Sequence, residues 1–436
     1  MPVFSTHSGL VITAESQEAA SAVEAFEANL LGLRRELDDV PGQADQYLET
    51  PMLQTCAAIY FIYGQSQQTN ALAAPYLERA ESMAESCTER EQSFIRAIRL
   101  FLNNAFHDAL LMLEAQTERY PHDLLAAKIA EFLYYCLGQH YSGHRFQSHM
   151  GRLEEANADS AGYWSMRSFA TELCGDYETA RPEAERSLAL DEFQPWAHHT
   201  LAHLLSRGGR IDSGLAEIEG LMPMWRRANR GIHCHNAWHL ALLHLDLMDI
   251  ENAEKVLHED LWGITPDTVF EQIDTIALLW RMDLAGVRKD EIWRDVANRA
   301  EQYAGQCMIP FLDGHFAYAL ARVGNEDAAQ MAVAKAYERA KQSDVEALEV
   351  WRPIGAEFVA ACADFGRGKT AEGADRLDPI ISLVPMVGGS DAQDDLFRQA
   401  YISGLRDSGK QADAESTFER FYGAKWRTAF DDKLLS

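Results

Sequence analysis

The sequence has little positive charge for its size. Its 39 Lys and Arg residues stand against 67 Asp and Glu residues, so the 436-residue chain carries a formal net charge of −28. A surface this acidic repels the phosphates of nucleic acids and of anionic membranes, and no dense basic cluster offsets it. We therefore expect no nucleic acid and no membrane surface among the partners.

Long apolar runs are also missing. The longest runs, such as residues 56–63, are far shorter than the roughly eighteen residues that a membrane-spanning helix needs. Residues 1–15 lack the basic segment followed by an apolar segment that marks a secretory signal. We expect a cytoplasmic protein.

The cysteines form no recognisable framework. There are seven, scattered along the chain, and no two of them make a Cys-x-x-Cys pair. This pattern favours reduced thiols over disulfides or a zinc ribbon. Phosphate-binding glycine loops and the Gly-x-Ser-x-Gly elbow of serine hydrolases are absent as well. Nucleotide binding and serine-hydrolase chemistry are therefore without support.

What the chain does contain is helical periodicity. Apolar residues recur at three- and four-residue spacing almost throughout, and hydrophobic residues make up 47% of the sequence, which is enough for a large core. Most glycines and prolines fall between these periodic segments, where they end helices. The pattern predicts an all-α fold of short helices and short turns.

A short turn motif recurs along the chain: a turn residue, often Gly, is followed five or six positions later by a small residue that opens an apolar helix. The glycine permits the tight turn, and the small residue lets neighbouring helices approach closely. One interval, Gly175 to Gly209, is the 34 residues typical of tetratricopeptide repeats. The seven copies are Asn104…Ala109, Gly175…Ala180, Gly209…Gly214, Met248…Ala253, Gly324…Ala329, Gly368…Ala374 and Gly409…Ala414.

These repeats predict a tetratricopeptide-like α-helical solenoid curled around a central pocket, because such helix pairs bury their apolar faces only by stacking. We expect one domain over residues 1–436, with capping helices in 1–65, repeats in 66–422 and a tail in 423–436. An irregular helical bundle with similar turns is the alternative.

Six of the fifteen histidines fall within residues 198–239. His199 and His203 are four residues apart, as are His235 and His239, so each pair lies on one face of its helix. The pairs are separated by 36 residues, close to one repeat, which places them on successive helices of the array. We therefore expect the four imidazoles to converge, with Asp313 and His315 on a later helix of the same kind.

Three interpretations of this cluster are open. The histidines could be structural, packed beside Trp196 and Trp238. They could form a small-molecule site in which one imidazole is the general base and others orient the substrate. They could also bind a metal ion, since H-x-x-x-H presents two imidazoles together, although neither pair has the Glu of the H-E-x-x-H metalloprotease helix.

Other candidates are single residues or short loops. Cys234 is either a nucleophile beside His235 or a small buried hydrophobe. Asp274 is a carboxylate in an apolar helix that could orient an imidazole or pair with Arg281. The segment 388–393 is expected to cap a helix through Ser390 or Asp391, and its backbone N–H groups could alternatively hold an anion.

The chain resembles the tetratricopeptide repeat protein 38 family over nearly its whole length, from Gly9 onward. The resemblance implies a helical-repeat fold, histidines at 199, 203, 235, 239 and 315, and acids at 274 and 313, but no established reaction. His198, His233 and Asp391, which stands where the family has Asn, depart from the family pattern. The motifs that carry the resemblance are Trp196-Ala-His-His199-Thr-Leu-Ala-His203, Cys234-His-Asn-Ala-Trp238-His239, Asp313-Gly-His315-Phe316 and Gly388-Gly-Ser-Asp391-Ala-Gln393.

We predict a small-molecule enzyme that performs acid–base chemistry, with hydrolysis the first choice, and we expect no cofactor, while a metal ion and a homo-oligomer stay open. The alternative is a non-catalytic scaffold that binds a peptide or protein in its groove. The predicted catalytic residues are His199, His203, His235, His239, Asp313 and His315. The predicted substrate-binding residues are Trp196, Cys234, Asn236, Trp238 and Asp274.

Overall fold

The computed structural model describes residues 1–208, 211–423 and 427–436. Within them the chain is almost entirely helical. The helices are α1 (Gln17–Leu31), α2 (Val40–Gln46), α3 (Pro51–Ile62), α4 (Gln67–Ser82), α5 (Glu89–Leu102), α6 (Phe106–Arg119), α7 (Leu124–Leu137), α8 (Gly143–Arg152), α9 (Glu154–Asn157), α10 (Ala161–Glu172), α11 (Tyr177–Leu190), α12 (Pro195–Gly208), α13 (Ile211–Glu219), α14 (Met222–Trp225), α15 (Arg230–Asp246), α16 (Ile250–Val256), α17 (Val269–Leu284), α18 (Asp290–Ala300), α19 (Pro310–Arg322), α20 (Glu326–Arg339), α21 (Ala356–Gly366), α22 (Thr370–Leu377), α23 (Asp391–Asp407), α24 (Gln411–Tyr422) and α25 (Ala429–Leu435).

Shorter irregular elements connect some of these helices. Two π-helical segments follow α16 and α20, and short 3-10 turns follow α1, α4 and α22. None of the helices in the described parts of the chain is both long and apolar enough to cross a bilayer. The π-helical segments are Leu257–Leu261 and Ala347–Gly355, and the 3-10 turns are Arg35–Asp39, Ala84–Ser86 and Ile381–Met386.

The recurring turn motif is confirmed in six of its seven copies. In each, the turn residue has a left-handed backbone with φ between 56° and 80°. In five of the six the following N–H closes the preceding helix; Ala105, for example, donates to the Leu100 carbonyl at 2.9 Å, and Asn325 donates to the Leu320 carbonyl at 2.9 Å. The copy that begins at Gly209 lies outside the described residues. The small residues of the six copies are all buried, namely Ala109, Ala180, Ala253, Ala329, Ala374 and Ala414.

These turns join helices that pack on their neighbours in sequence, so the chain is an all-α helical-repeat protein of tetratricopeptide type, as predicted. Backbone contacts divide it into two compact units. The first comprises residues 1–137, 142–201 and 223–232, and the second comprises residues 138–141, 202–222 and 233–436. A single domain curled around a central pocket stays a prediction.

In the first unit, α3 packs against α4, α5 against α6, α6 against α7 and α10 against α11. Aromatic side chains fill the spaces between these helices, and Phe94, Tyr163 and Phe169 are completely buried. Burying one such side chain stabilises the fold by roughly 1.5–3 kcal/mol. The first unit therefore has a hydrophobic core of its own.

The first unit also contains a small sheet that the all-α prediction omits. Strands β1 (Val3–Ser5) and β2 (Val11–Thr13) pair in antiparallel fashion. Both are rich in β-branched and aromatic residues, and the turn between them includes Gly9 with φ of 80°. The carboxylate of Glu91 fixes β2 by accepting the Thr13 N–H at 2.7 Å.

In the second unit, α19 packs against α21, and α22, α23 and α24 follow in sequence with each packed on the next. Its core contains four completely or almost completely buried indoles, at Trp238, Trp280, Trp293 and Trp351. Helix α17 packs against α18, α19 and α23. This packing holds α17 and α23, which carry most of the acidic residues considered below, in fixed positions.

The C-terminal segment is more ordered than the predicted tail. Residues 429–435 form α25, whose first turn is capped by Thr428, and Phe430 and Leu434 are buried. Helix α25 packs on α23. The four-residue spacing of these two apolar side chains was the available sequence signal for a short amphipathic helix.

A glycine-to-alanine comparison tests whether close helix approach limits the first unit. A Cβ on Gly162 of α10 would lie 2.9 Å from the Cβ of Leu31, whereas a Cβ on Gly42 of α2 would meet nothing within 4 Å. We expect Gly162→Ala to lower the free energy of unfolding by about 1–3 kcal/mol, because the added methyl group forces α1 and α10 apart. Gly42→Ala should be neutral or stabilising by up to about 1 kcal/mol. Urea unfolding measures both, and equal effects would contradict the packing described.

Candidate active site

Helices α12 and α15 carry the two predicted histidine pairs. His199 and His203 lie on α12, while His235 and His239 lie on α15. Three of the four residues are at most 3% exposed, whereas the side chain of His235 is 18% exposed. Of the eleven predicted site residues, Trp196 and His199 belong to the first unit and the other nine belong to the second.

In the first unit, Trp196 provides a platform for His199. The two rings stack with centroids 4.3 Å apart and planes 13° apart. The indole N–H donates to Glu131 at 2.8 Å, and Lys128, which forms an ion pair with Glu131, lies 4.6 Å from the indole centroid. The buried ion pair fixes the indole by a hydrogen bond and a cation–π contact.

In the second unit, His203, His235 and His239 form what we call the imidazole cluster. His239 lies between the others, with ring centroids 4.6 Å from His203 and 4.8 Å from His235. The indole of Trp238 stacks on His235 at 5.4 Å and meets the His239 ring edge-on at 4.7 Å. Helix α12 thus supplies one imidazole and α15 supplies two.

Asp274 of α17 orients one end of this cluster. Its carboxylate oxygens lie 3.1 and 3.2 Å from the Nδ1 of His235. An ionised carboxylate only accepts hydrogen bonds, so Nδ1 must carry the proton and donate it. The neutral imidazole therefore has its lone pair on Nε2. Asp274 thus orients an imidazole, one of the two roles considered from sequence, and Arg281 has other partners.

Asp391 of α23 lies at the other end. Its carboxylate is 3.1 Å from the Nδ1 of His203 and 2.9 Å from Arg207, which also donates to Asp395 at 2.6 Å. Burial would raise the pKa of Asp391, but Arg207 and His203 together hold it well below its usual range. Asp391 is therefore an ionised partner of His203, a role beyond the helix capping predicted for segment 388–393.

A small cavity of about 30 Å³ opens beside His239 within the second unit. Its walls come from α12, α15, α17, α23, α24 and α25, and they are largely polar. The cavity is larger than the roughly 10–15 Å³ that one water molecule needs, so it admits water or a small functional group. The polar residues that line it are Ser206, His239, Asp246, Arg281, Asp395, Gln399, Tyr422 and Asp431.

Asp313 and His315 make separate contacts on α19. Asp313 accepts the N–H of Gly305 at 2.8 Å, and burial raises its pKa to about 7 although the N–H groups of Gly305 and Cys307 oppose the shift. His315 donates from Nδ1 to the Phe311 carbonyl at 2.8 Å, and burial lowers its pKa to about 4. Residues two apart on a helix do not share a face. By its hydrogen bond to Gly305, Asp313 stabilises the loop that precedes α19.

The remaining predicted residues on α15 are buried. The thiol of Cys234 lies 3.6 Å from the Leu261 carbonyl, and Asn236 is completely buried. The Nε1–H of Trp238 has no acceptor among the residues that the structure describes. Of these three side chains, Trp238 packs on the rings of the imidazole cluster.

His198 and His233, the two other histidines within residues 198–239, have structural partners. The indole N–H of Trp225 donates to His198 at 3.3 Å, and burial lowers the pKa of His198 to about 4. His233 lies 3.0 Å from Asp260 through its Nε2. Both side chains are thus accounted for by local hydrogen bonding.

Sequence reasoning missed the charged residues that support the cluster, above all Arg207, Asp391 and Asp395. Arg207 stands four residues after His203, so helical spacing alone could have placed both on one face of α12. The acids belong to the run Asp391-Ala-Gln-Asp394-Asp395, of which only Asp391 was predicted to have a role, as a helix cap or in an anion-binding turn. No local pattern indicated that α23 lies against the end of α12.

Comparison with known proteins adds little to this geometry. No family model matches the chain. One solved structure with some likeness is titled "Structure of Naa15/Naa10 bound to HypK-THB"; the match covers 93% of this chain and 68% of that one at 12% identity, with a TM-score of 0.24. A likeness this weak supports no argument about function. The site must therefore be judged from its own residues.

The raised pKa of Asp313 predicts how the free energy of unfolding depends on pH. The folded protein keeps this proton up to about pH 7, whereas the ordinary pKa of an aspartate side chain is 3.8. The folded state then binds more protons than the unfolded state between these values, so this contribution to the free energy of unfolding is greatest below pH 3.8 and declines as the pH rises to 7. In Asp313→Asn this contribution to the pH dependence of the free energy of unfolding should be absent.

Urea unfolding of the wild type and Asp313→Asn across this pH range measures the effect. His315, whose lowered pKa acts in the opposite direction, is present in both proteins and cancels in the difference. Parallel pH dependences of the two proteins would contradict a protonated Asp313.

Proposed function

We propose that the chain is a cytoplasmic member of the tetratricopeptide repeat protein 38 family and that its second unit carries out acid–base chemistry on a small molecule. Support for membership comes from the four motifs around residues 196–203, 234–239, 313–316 and 388–393. Support for the chemistry comes from the imidazole cluster.

The hydrogen bond between Asp274 and His235 is the observation that carries this proposal. Of the three imidazoles in the cluster, His235 has the most exposed side chain, at 18%, and its Nδ1 proton is committed to Asp274. The opposite nitrogen, Nε2, is then the basic one. A carboxylate that fixes the tautomer and orientation of an imidazole is the arrangement by which enzymes prepare a histidine general base.

We assign His235 as the general base and His239 as the group that returns a proton to the leaving atom. The two rings lie 4.8 Å apart, a separation at which both can contact one small substrate. Asp391 and Arg207 fix His203, which supports His239 from the other side. In hydrolysis, His235 would take a proton from water as the water attacks the substrate. General acid–base catalysis of this kind contributes about 10²–10⁴-fold to a rate.

A metal ion is the main rival within this site. A ring nitrogen of His235 lies within 4.8 Å of one of His239, and a carboxylate behind a ligating histidine is also a common metal-site feature. We favour metal-free chemistry because neither histidine pair carries the Glu of an H-E-x-x-H helix. A scaffold that binds a peptide is the rival from a different class, but Trp, His and Asp residues suit a clamp for peptide carboxylates poorly.

Substitution of His235 tests the proposal. The purified wild type and His235→Gln are each incubated with a small-molecule cell extract, and mass spectrometry follows compounds that gain one water. We expect at least one such conversion by the wild type, and His235→Gln should slow it by at least about 100-fold because the base is lost. Asp274→Asn should slow it as well, since the imidazole loses its fixed tautomer.

His244→Gln is the matched control. His244 is a buried histidine on the same helix, with ion-pair contacts to Glu219 and Asp249 outside the cluster. It should retain the conversion. Equal product profiles for the wild type and His235→Gln would contradict an enzymatic role, and a rate that falls on chelation and returns with added Zn²⁺ would favour the metal site.

A further inference from the structure

Arg281 is an unusual cation within the second unit. It is 3% exposed, and its guanidinium donates only to neutral groups: the Ala392 carbonyl at 2.8 Å, the Gln399 side chain at 3.1 Å and the Ala277 carbonyl at 3.3 Å. A guanidinium has five N–H donors, so two have no acceptor within the described chain. Buried cations ordinarily pair with a carboxylate.

Other arginines of the second unit follow that ordinary pattern. Arg207 contacts Asp391 and Asp395, and Arg322 donates to Asp283 at 2.7 Å. No ion pair joins Arg281 to a carboxylate among the described residues, and burial lowers its pKa to about 10. Arg281 is thus a buried cation with no carboxylate at ion-pair distance among the described residues, and Asp395 and Asp246 stabilise its charge only from further away.

Arg281 lies next to the imidazole cluster. It lines the cavity of about 30 Å³ together with His239, and its guanidinium carbon is 5.4 Å from the ring of Trp238, whose indole N–H also has no acceptor in the described structure. The N–H groups of Arg281 that lack an acceptor suit an anionic oxygen. The cavity has room for a carboxylate group beside Arg281.

Three carboxylates also line the cavity. Asp395 is compensated by Arg207 at 2.6 Å and by Arg398 at 3.1 Å, and Asp431 accepts the Thr428 N–H at 2.9 Å. Asp246 also lines the cavity.

We propose that Arg281 binds the carboxylate of a small substrate and so places the substrate's reacting group at the imidazole cluster. The inference rests on the proposed function and names its substrate class: small carboxylic acids, including hydroxy and amino acids. Arg281 is then a substrate-binding residue, and its paired N–H groups match the two oxygens of a carboxylate.

Binding of simple probes tests the proposal without knowledge of the substrate. Acetate and glycolate are titrated into the full-length protein and followed by NMR shifts of the His239 ring and by thermal unfolding, with acetamide and methylammonium as isosteric comparisons. Both carboxylates should bind and raise the unfolding temperature, while acetamide and methylammonium should not. In Arg281→Gln, carboxylate affinity should fall at least about tenfold.

Arg322→Gln is the control for loss of an arginine in the same unit, and it should bind carboxylates normally. Arg281→Lys keeps the charge and is used if Arg281→Gln fails to fold; its affinity should fall because the paired geometry is lost. Binding of acetamide as tight as acetate, binding of methylammonium instead, or equal affinities in Arg281→Gln and Arg322→Gln would each overturn the proposal.

His235→Gln separates this inference from the proposed function. It should still bind acetate, because Arg281 is intact. Loss of turnover in His235→Gln together with absent acetate binding in the wild type would leave the acid–base site standing and remove the role of Arg281.

Discussion

The imidazole cluster depends on carboxylates that lie behind its histidines. A buried imidazole without a partner is free to rotate and to exchange tautomers, and its polar nitrogens are costly to bury. Asp274 removes that freedom from His235 by a hydrogen bond of 3.1 Å, and Asp391 lies equally close to His203. His239, between these two, is positioned by rings that are themselves fixed.

The carboxylates in turn depend on the helices that carry them. Asp391 keeps its negative charge in a buried position because Arg207 and His203 face it, and Arg207 comes from the same helix as His203. The first turn of α23 is therefore joined to α12 by charge. A buried ion pair of this kind is costly to break, because removal of one partner leaves the other charge uncompensated.

Much of this arrangement could be predicted from the sequence, and the reasons differ by residue. The turn residues and the buried alanines follow from local rules, since a left-handed φ or a close helix contact restricts which residue fits; Gly324 and Ala329 illustrate both. The H-x-x-x-H spacing similarly fixes His235 and His239 on one face of α15. Contacts between distant segments could not be found in this way. The partnership of His203 with Asp391 joins residues 188 positions apart. The two-residue offset of Asp313 and His315, by contrast, is a local signal that they face different sides of α19.

The central claim is that Asp274 holds the Nδ1 proton of His235 and leaves Nε2 basic. Nitrogen NMR of the histidine rings tests it most directly, with Asp274→Ala as the comparison, because the two tautomers give distinct ring-nitrogen shifts. The account predicts that neutral His235 is protonated at Nδ1 in the wild type and shifts toward the Nε2-protonated form in Asp274→Ala. An Nε2-protonated His235 in the wild type, or the same tautomer in both proteins, would contradict it.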